Sequence, residues 1–189
     1  MRVQYYCAAT LDGFIADPDD GIDWLTGYRP PDPPPDLKRD TSSYDEFYTG
    51  VGALIMGSAT YEWVLENASA WPYADRPAWV LSSRELPQPD GDAEVRIANA
   101  SVEELRDELA AAAGNRNLWI VGGGPVASQF AGAGLLDDVI VTLVPVVLGA
   151  GKPLFSESLP GGPMKLVEAT PSPSGMVELR YELVRPADG

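Results

Sequence analysis

Residues Leu118 to Gln129, LWIVGGGPVASQ, run an apolar strand into three successive glycines and then into a helical pattern. This junction constrains the fold more than any other part of the chain. Glycine has no Cβ, so at Gly122, Gly123 and Gly124 the backbone can take positive φ and approach a ligand closely. Pro125 has no N–H to lose and suits a first helical turn, so the helix is expected to start there. Such a start offers unpaired N–H donors and a partial positive charge to a phosphate or pyrophosphate. A plain strand-to-helix turn has little use for three glycines.

The remaining segments repeat the strand and helix pattern and then change it. Val3 to Ala9 reads as a buried strand, Asp12-Gly13 as a turn, and Phe14-Ile15 as an apolar return. Residues 29–35, RPPDPPP, exclude helix or a central strand, because proline lacks the donor and fixes φ, and are expected as a surface insertion. Asp36 to Tyr48 carries Leu37, Tyr44, Phe47 and Tyr48 at helical spacing. Val51 to Met56 is an expected strand that breaks at Gly57 into a helix capped by Ser58 or Thr60 and running to about Asn67. Pro77 to Leu81 and Glu94 to Ile97 are further strands, and Ser101 opens a capping box, SVEE, for a helix through Ala113. The tail holds strands alone: the apolar run Val139 to Leu148, then Lys165 to Ala169 and Met176 to Leu183 as a hairpin. Alternation followed by strands alone predicts a mixed, mostly parallel sheet with antiparallel C-terminal strands and flanking helices. With 189 residues and 45% hydrophobic content, one domain over 1–189 is the expected organisation. The run Val139 to Leu148 would promote aggregation as a bare edge, so it is expected to be covered.

Composition removes several function classes. A net charge of −15 repels polyanions, which argues against nucleic-acid partners and anionic membrane surfaces. With no histidine, imidazole acid-base chemistry, a Ser-His-Asp triad and a His-ligated metal are all excluded. Asp17, Asp19, Asp20 and Asp23 are spaced like part of a calcium loop, but the residues after them do not complete the pattern, so no metal site is expected. The single cysteine, Cys7, lies in an apolar strand and cannot form an internal disulfide; a buried, inert thiol in a reducing compartment is expected. No signal-peptide core or membrane-length apolar run is present, so a cytoplasmic protein is expected.

Taken together, CAATLDGFIAD (7–17), ALIMGSATYE (53–62), AWVLSSRE (78–85), the glycine segment and GLLDDVIVTLVPVVLGAGKPLF (134–155) resemble the dihydrofolate reductase-like superfamily. The similarity is greatest to the C-terminal reductase domain of the bifunctional riboflavin biosynthesis protein, and it covers nearly the whole chain. It implies a three-layer α/β fold and a reduced dinucleotide, NADPH with NADH as the variant, across the C-terminal edge of the sheet. By motif, Gly57, Ser58, Ala59 and Thr60 fall at one helix start that holds the pyrophosphate. Val121, Gly122, Gly123, Gly124, Pro125 and Val126 fall at the other. Ser82, Ser83 and Arg84 fall beside the adenine ribose and its 2′-phosphate. The family usually has arginine directly after the Met-Gly pair, where this chain has Ser58, so Arg84 is left as the principal cation. A homodimer is also implied.

The resemblance places Asp12 and Trp24 around the nicotinamide pocket, with Tyr61 as a further pocket residue. It puts a substrate-gripping acid on the helix after the proline-rich insertion, where Asp40 and Asp45 are the candidates. The implied activity is hydride transfer to a small heterocyclic or pyrimidine-type substrate, distinct from folate reduction. No deaminase zinc motif is present in the chain. The competing expectation is a noncatalytic nucleotide-binding or dimerisation protein that retains the fold.

Overall fold

The first strand, β1 (Val3–Thr10), sits in the middle of the sheet and is buried along most of its length. The computed structural model describes residues 1–30 and 43–184. After β1 come β2 (Phe14–Ala16), α1 (Asp23–Thr26), α2 (Ser43–Thr49), β3 (Val51–Gly57), α3 (Ser58–Asn67), β4 (Ala78–Leu81) and β5 (Val95–Ala98). The chain continues through α4 (Val102–Ala113), β6 (Asn117–Gly122), α5 (Gly124–Gly132), β7 (Asp138–Val144), β8 (Lys152–Pro153), β9 (Lys165–Pro171) and β10 (Val177–Glu182).

An eight-stranded sheet has the order β5-β4-β3-β6-β1-β7-β10-β9. The pairs from β5 to β7 are parallel, while β10 is antiparallel to both β7 and β9. This is the mixed, mostly parallel sheet with antiparallel C-terminal strands that the alternation predicts. A separate two-stranded pairing joins β2 to β8. Two-residue β8 carries no periodic signal, and the sequence alone did not reveal it.

Side chains alternate across the sheet into two cores. On one face Val3, Tyr5, Ala53, Ile55, Leu118 and Ile120 meet α4 and α5 through Leu105, Leu109, Val126 and Phe130. On the other Leu54, Met56, Val80 and Trp119 meet α3 through Tyr61 and Val64, with Phe47 and Tyr48 of α2 packed alongside. Helices on both faces make the fold three layers, and strands such as β3, buried at consecutive positions and so on both faces, require both. The capping box forms as read: the Ser101 side chain accepts from the Glu104 amide, and the Glu104 carboxylate accepts from the Ser101 amide.

The apolar run after residue 138 is shorter as a strand than its composition suggests. Strand β7 stops at Val144, before Pro145, which cannot donate to the ladder. It is paired on both sides, by β1 and β10. Its cover therefore comes from the same chain. Among the described residues no helix is long and apolar enough to cross a membrane, and no cluster of acidic or cysteine side chains is arranged to hold a metal ion.

Candidate functional site

After β3 the chain passes through α3 and steps outward to β4; after β6 it passes through α5 and steps the other way, past β1, to β7. Strands β3 and β6 are neighbours, with Met56 in register with Gly122. The two connections therefore diverge between adjacent strands, which opens a crevice beyond their carboxyl ends. The starts of α3 and α5 meet there. A Cβ placed on Gly57 would lie 3.4 Å from Val126 Cγ2 and 4.0 Å from the Gly123 nitrogen.

Neither helix start has a side-chain cap. Gly57 is the N-cap of α3 and Gly123 that of α5, both in extended conformation and both without a side-chain hydrogen bond. The expected capping by Ser58 or Thr60 does not occur, because both residues already lie inside α3. Thr60 instead turns its hydroxyl towards the neighbouring loop, where Oγ1 would be 3.1 Å from a Cβ on Gly122. The Gly122–Gly123 peptide beneath it is cis. Helix α5 begins at Gly124, one residue before the expected start at Pro125, which is exposed within the first turn. The first-turn N–H groups of α3 thus meet the Gly123–Gly124 backbone with no side-chain cap among the described residues, a geometry suited to an anion; further into α5, Pro125 has no N–H, and Val126 and Ala127 donate to Gly123 O at 3.0 and 3.3 Å.

The reason for three glycines differs from the expected one. None of Gly122, Gly123 and Gly124 has positive φ. Gly124 is buried against the chain itself: a Cβ there would overlap the Pro153 carbonyl oxygen and lie 3.0 Å from that of Leu154. Gly122 makes room for Thr60. Only Gly123 has ordinary space around it, with the nearest atoms, in Ile15 and Pro125, at 3.7 Å. Its half-exposed backbone is therefore the part of the triplet open to a ligand.

The third expected cofactor segment lies just after β4. The Ser82 amide donates to Ala98 O at 3.0 Å, and the Ser82 hydroxyl accepts from the Arg84 amide at 3.0 Å, which fixes a tight turn. Ser83 and Arg84 are exposed on it. The Arg84 guanidinium makes a two-pronged pair with the Glu62 carboxylate of α3, at 3.1 and 2.8 Å, and its side chain is 60% exposed. An exposed pair of this kind is weak because water screens it, so a dianionic phosphate can compete for the arginine.

The residues expected at the substrate end separate. The Asp12 carboxylate accepts from Thr10 Oγ1 at 2.6 Å and from the Leu148 and Gly149 amides at 3.2 and 2.7 Å. These bonds, that from Thr10 foremost, hold its pKa below the usual aspartate range. It is a tie between the β1–β2 turn and the loop after β7, and a carboxylate held ionised is a poor proton donor. Trp24 lies on α1 with its indole N–H shielded and without a hydrogen-bond partner among the described residues. Tyr61 is fully buried, stacks edge-on against Trp71 and donates to Pro87 O at 2.7 Å, so it belongs to the core and not to a pocket. Asp45 is exposed in the first turn of α2, and Asp40 lies outside the described residues.

Sequence reasoning missed a polar group on the last strand. The Tyr6 hydroxyl donates to Glu178 Oε2 at 3.0 Å, joining β1 to β10 across β7. No local spacing signals a pair 172 positions apart in the chain. Cys7, half-buried beside Tyr5, has its thiol pushed up to about 12 by burial, in keeping with an inert side chain.

Comparison with known proteins identifies the family and the fold. A family model described as the RibD C-terminal domain matches residues 2–177. The uncharacterized protein YwjB of Bacillus subtilis is 34% identical over 152 residues, spanning 80% of this chain and 81% of that protein. The riboflavin biosynthesis protein RibD of Corynebacterium ammoniagenes is 30% identical over 165 residues, 80% of this chain but 45% of that longer protein. Among solved structures, a putative riboflavin biosynthesis protein from Shewanella sp. PV-4 superimposes with a TM-score of 0.79 at 28% identity, covering 98% of this chain and 100% of that one. The deaminase/5-amino-6-(5-phosphoribosylamino)uracil reductase of Thermotoga maritima shares the fold, with a TM-score of 0.65 at 18% identity over 97% of this chain and 56% of that one. The crevice between β3 and β6 is thus the sheet edge of a dihydrofolate reductase-like domain, and the chain belongs to the RibD C-terminal domain family.

Proposed function

We propose that the protein is an NADPH-dependent reductase that passes a hydride to a small heterocyclic or pyrimidine-type substrate, akin to the 5-amino-6-(5-phosphoribosylamino)uracil reductase step. The observation that carries this reading is the meeting of two uncapped helix starts at the sheet's switch point. The donor set fits a dinucleotide. The amides following Gly57 and the exposed Gly123 backbone, with the Thr60 hydroxyl, would hold the pyrophosphate; Ser82, Ser83 and Arg84 would hold the ribose and 2′-phosphate. The bound nicotinamide supplies the hydride, and the protein's part is to fix its position against the acceptor and exclude water. Family membership supports a single reductase-type domain over 1–189 acting as a homodimer. The edge strand β9, with Leu166 and Val167 at 52% and 49% exposure, offers apolar surface for that contact.

A noncatalytic nucleotide-binding role draws on two observations. Ser58 supplies no cation, and Arg84 is already engaged by Glu62. Binding measurements separate cofactor recognition from its absence. NADPH is expected to quench the tryptophan fluorescence saturably and to bind more tightly than NADH. Arg84→Ala is expected to weaken NADPH roughly 5- to 20-fold, by loss of one charge-assisted contact, and to leave NADH within about twofold. Equal losses for the two nucleotides would remove Arg84 from the 2′-phosphate site.

A further inference from the structure

The proton-delivering or substrate-gripping acid expected on α2 has a structural rival on the opposite wall. Ala8, Thr142 and Glu178 are register partners across β1, β7 and β10, so they form one lateral row on the sheet face that carries Tyr6. The row lies near the carboxyl ends of β1 and β7, the edge at which the two helix starts converge. Glu178 is half-buried and its carboxylate is held by the Tyr6 hydroxyl at 3.0 Å.

Tyr6 also belongs to an aromatic stack. Its ring lies 6.3 Å from that of Tyr44 at an interplanar angle of 23°, and 4.4 Å from that of Phe47. Tyr44 is 40% exposed, so the stack reaches the surface beside the row. From the other side, α1 leads to Tyr28, whose hydroxyl donates to Ser174 O at 2.8 Å in the turn before β10. The segment carrying Trp24 is thereby tied to the hairpin that carries Glu178.

We infer that Tyr6 and Glu178 form the polar wall of the substrate end, selecting a flat ring that presents N–H donors to the carboxylate and its face to the exposed aromatic stack. The assignment rests on the reductase reading above and goes beyond it in naming the anchor. It places the substrate-recognising acid on β10, joined to the aromatic stack through the Tyr6 hydroxyl, and not on the β1–β2 turn or on α2. Carboxylates accept such donors strongly, and a neutral amide of the same shape does not replace the charge.

The test uses the intact protein, Glu178→Gln, Tyr6→Phe, and Glu168→Gln on β9 as a control for loss of one negative charge. Affinities for NADPH and for 5,6-diaminouracil, the probe, are measured separately, with melting temperatures for each variant. Glu178→Gln is expected to weaken the probe at least tenfold and Tyr6→Phe about threefold or more. NADPH affinity is expected to stay within twofold throughout, and the Glu168→Gln variant to match the parent on both. Equal probe affinity in the parent and Glu178→Gln overturns the inference, as does a parent that binds NADPH but not the probe at millimolar concentration. A parent that binds no NADPH overturns it too, by removing the reductase reading on which it rests.

Discussion

Gly124→Ala is expected to destabilise the protein by about 2–3 kcal/mol, whereas Gly123→Ala, one residue away, is expected to cost less than about 1 kcal/mol. The two glycines read alike in the sequence and differ in what surrounds them. A methyl group on Gly124 would overlap the Pro153 carbonyl oxygen and crowd that of Leu154, both backbone atoms that can yield only if β8 or α5 moves. A methyl on Gly123 meets nothing nearer than 3.7 Å, and its φ of −97° suits any residue. Chemical denaturation of both variants checks the contrast. Equal costs would mean that the β8 segment does not pack against the start of α5. The distinction also governs mutagenesis of the site, since a Gly124 variant perturbs the fold before it reports on ligand binding.

Asp138→Ala is expected to cost about 2–3 kcal/mol, lowering the melting temperature by roughly 4–12 °C for a chain of this size. The Asp138 side chain is 1% exposed and accepts from Arg2 Nε and Nη2 at 2.7 and 2.8 Å and from Gln4 Nε2 at 3.0 Å, with Arg180 at 3.4 Å. Removing it leaves like charges facing one another at the start of β7. The estimate sits below the range for fully buried pairs because the Arg2 and Arg180 side chains remain 41% and 36% exposed and keep much of their hydration. Burial alone would raise the Asp138 pKa, but the hydrogen bonds from Arg2 and Gln4 and the arginine charges hold it below the ordinary value. A carboxylate with a lower pKa in the folded state contributes its full stability above the unfolded value of about 3.9 and loses it as pH falls through the folded value. The gap between parent and variant is therefore expected to be constant near neutrality and to narrow below about pH 4. A gap independent of pH would show that the charge of Asp138 contributes nothing.

Local chemistry made much of this architecture legible. Ser101 and Glu104 specify both bonds of the capping box and the helix that follows, and the continuous apolar runs in Val51–Gly57 and Asn117–Gly122 mark strands buried on both faces. The glycine segment located the helix start to within one residue. What it concealed was the reason for each glycine, because close approach by Pro153 or Thr60 is set by tertiary packing and leaves no trace in neighbouring residues. Tyr61 looked available at a helix start, yet its ring faces Trp71 inside the core, a matter of helix rotation that a weak apolar periodicity in α3 does not fix. The Tyr6–Glu178 contact depends on β7 lying between β1 and β10, so it becomes visible only when the strand order is known. Asp40 lies outside the described residues.

The central claim is that the converging helix starts bind the pyrophosphate of a dinucleotide. It is tested most directly by titrating the protein and its Gly123→Asp variant with NADPH, alongside the melting temperature of each. Aspartate is a favoured N-cap and its Cβ would meet nothing nearer than 3.7 Å here, so the variant is expected to keep its stability while placing a negative charge where the phosphates would lie. The account predicts saturable binding by the parent and at least a tenfold loss in a fully folded variant. A folded Gly123→Asp protein that binds NADPH as tightly as the parent would contradict it, as would a parent that binds none at millimolar concentration.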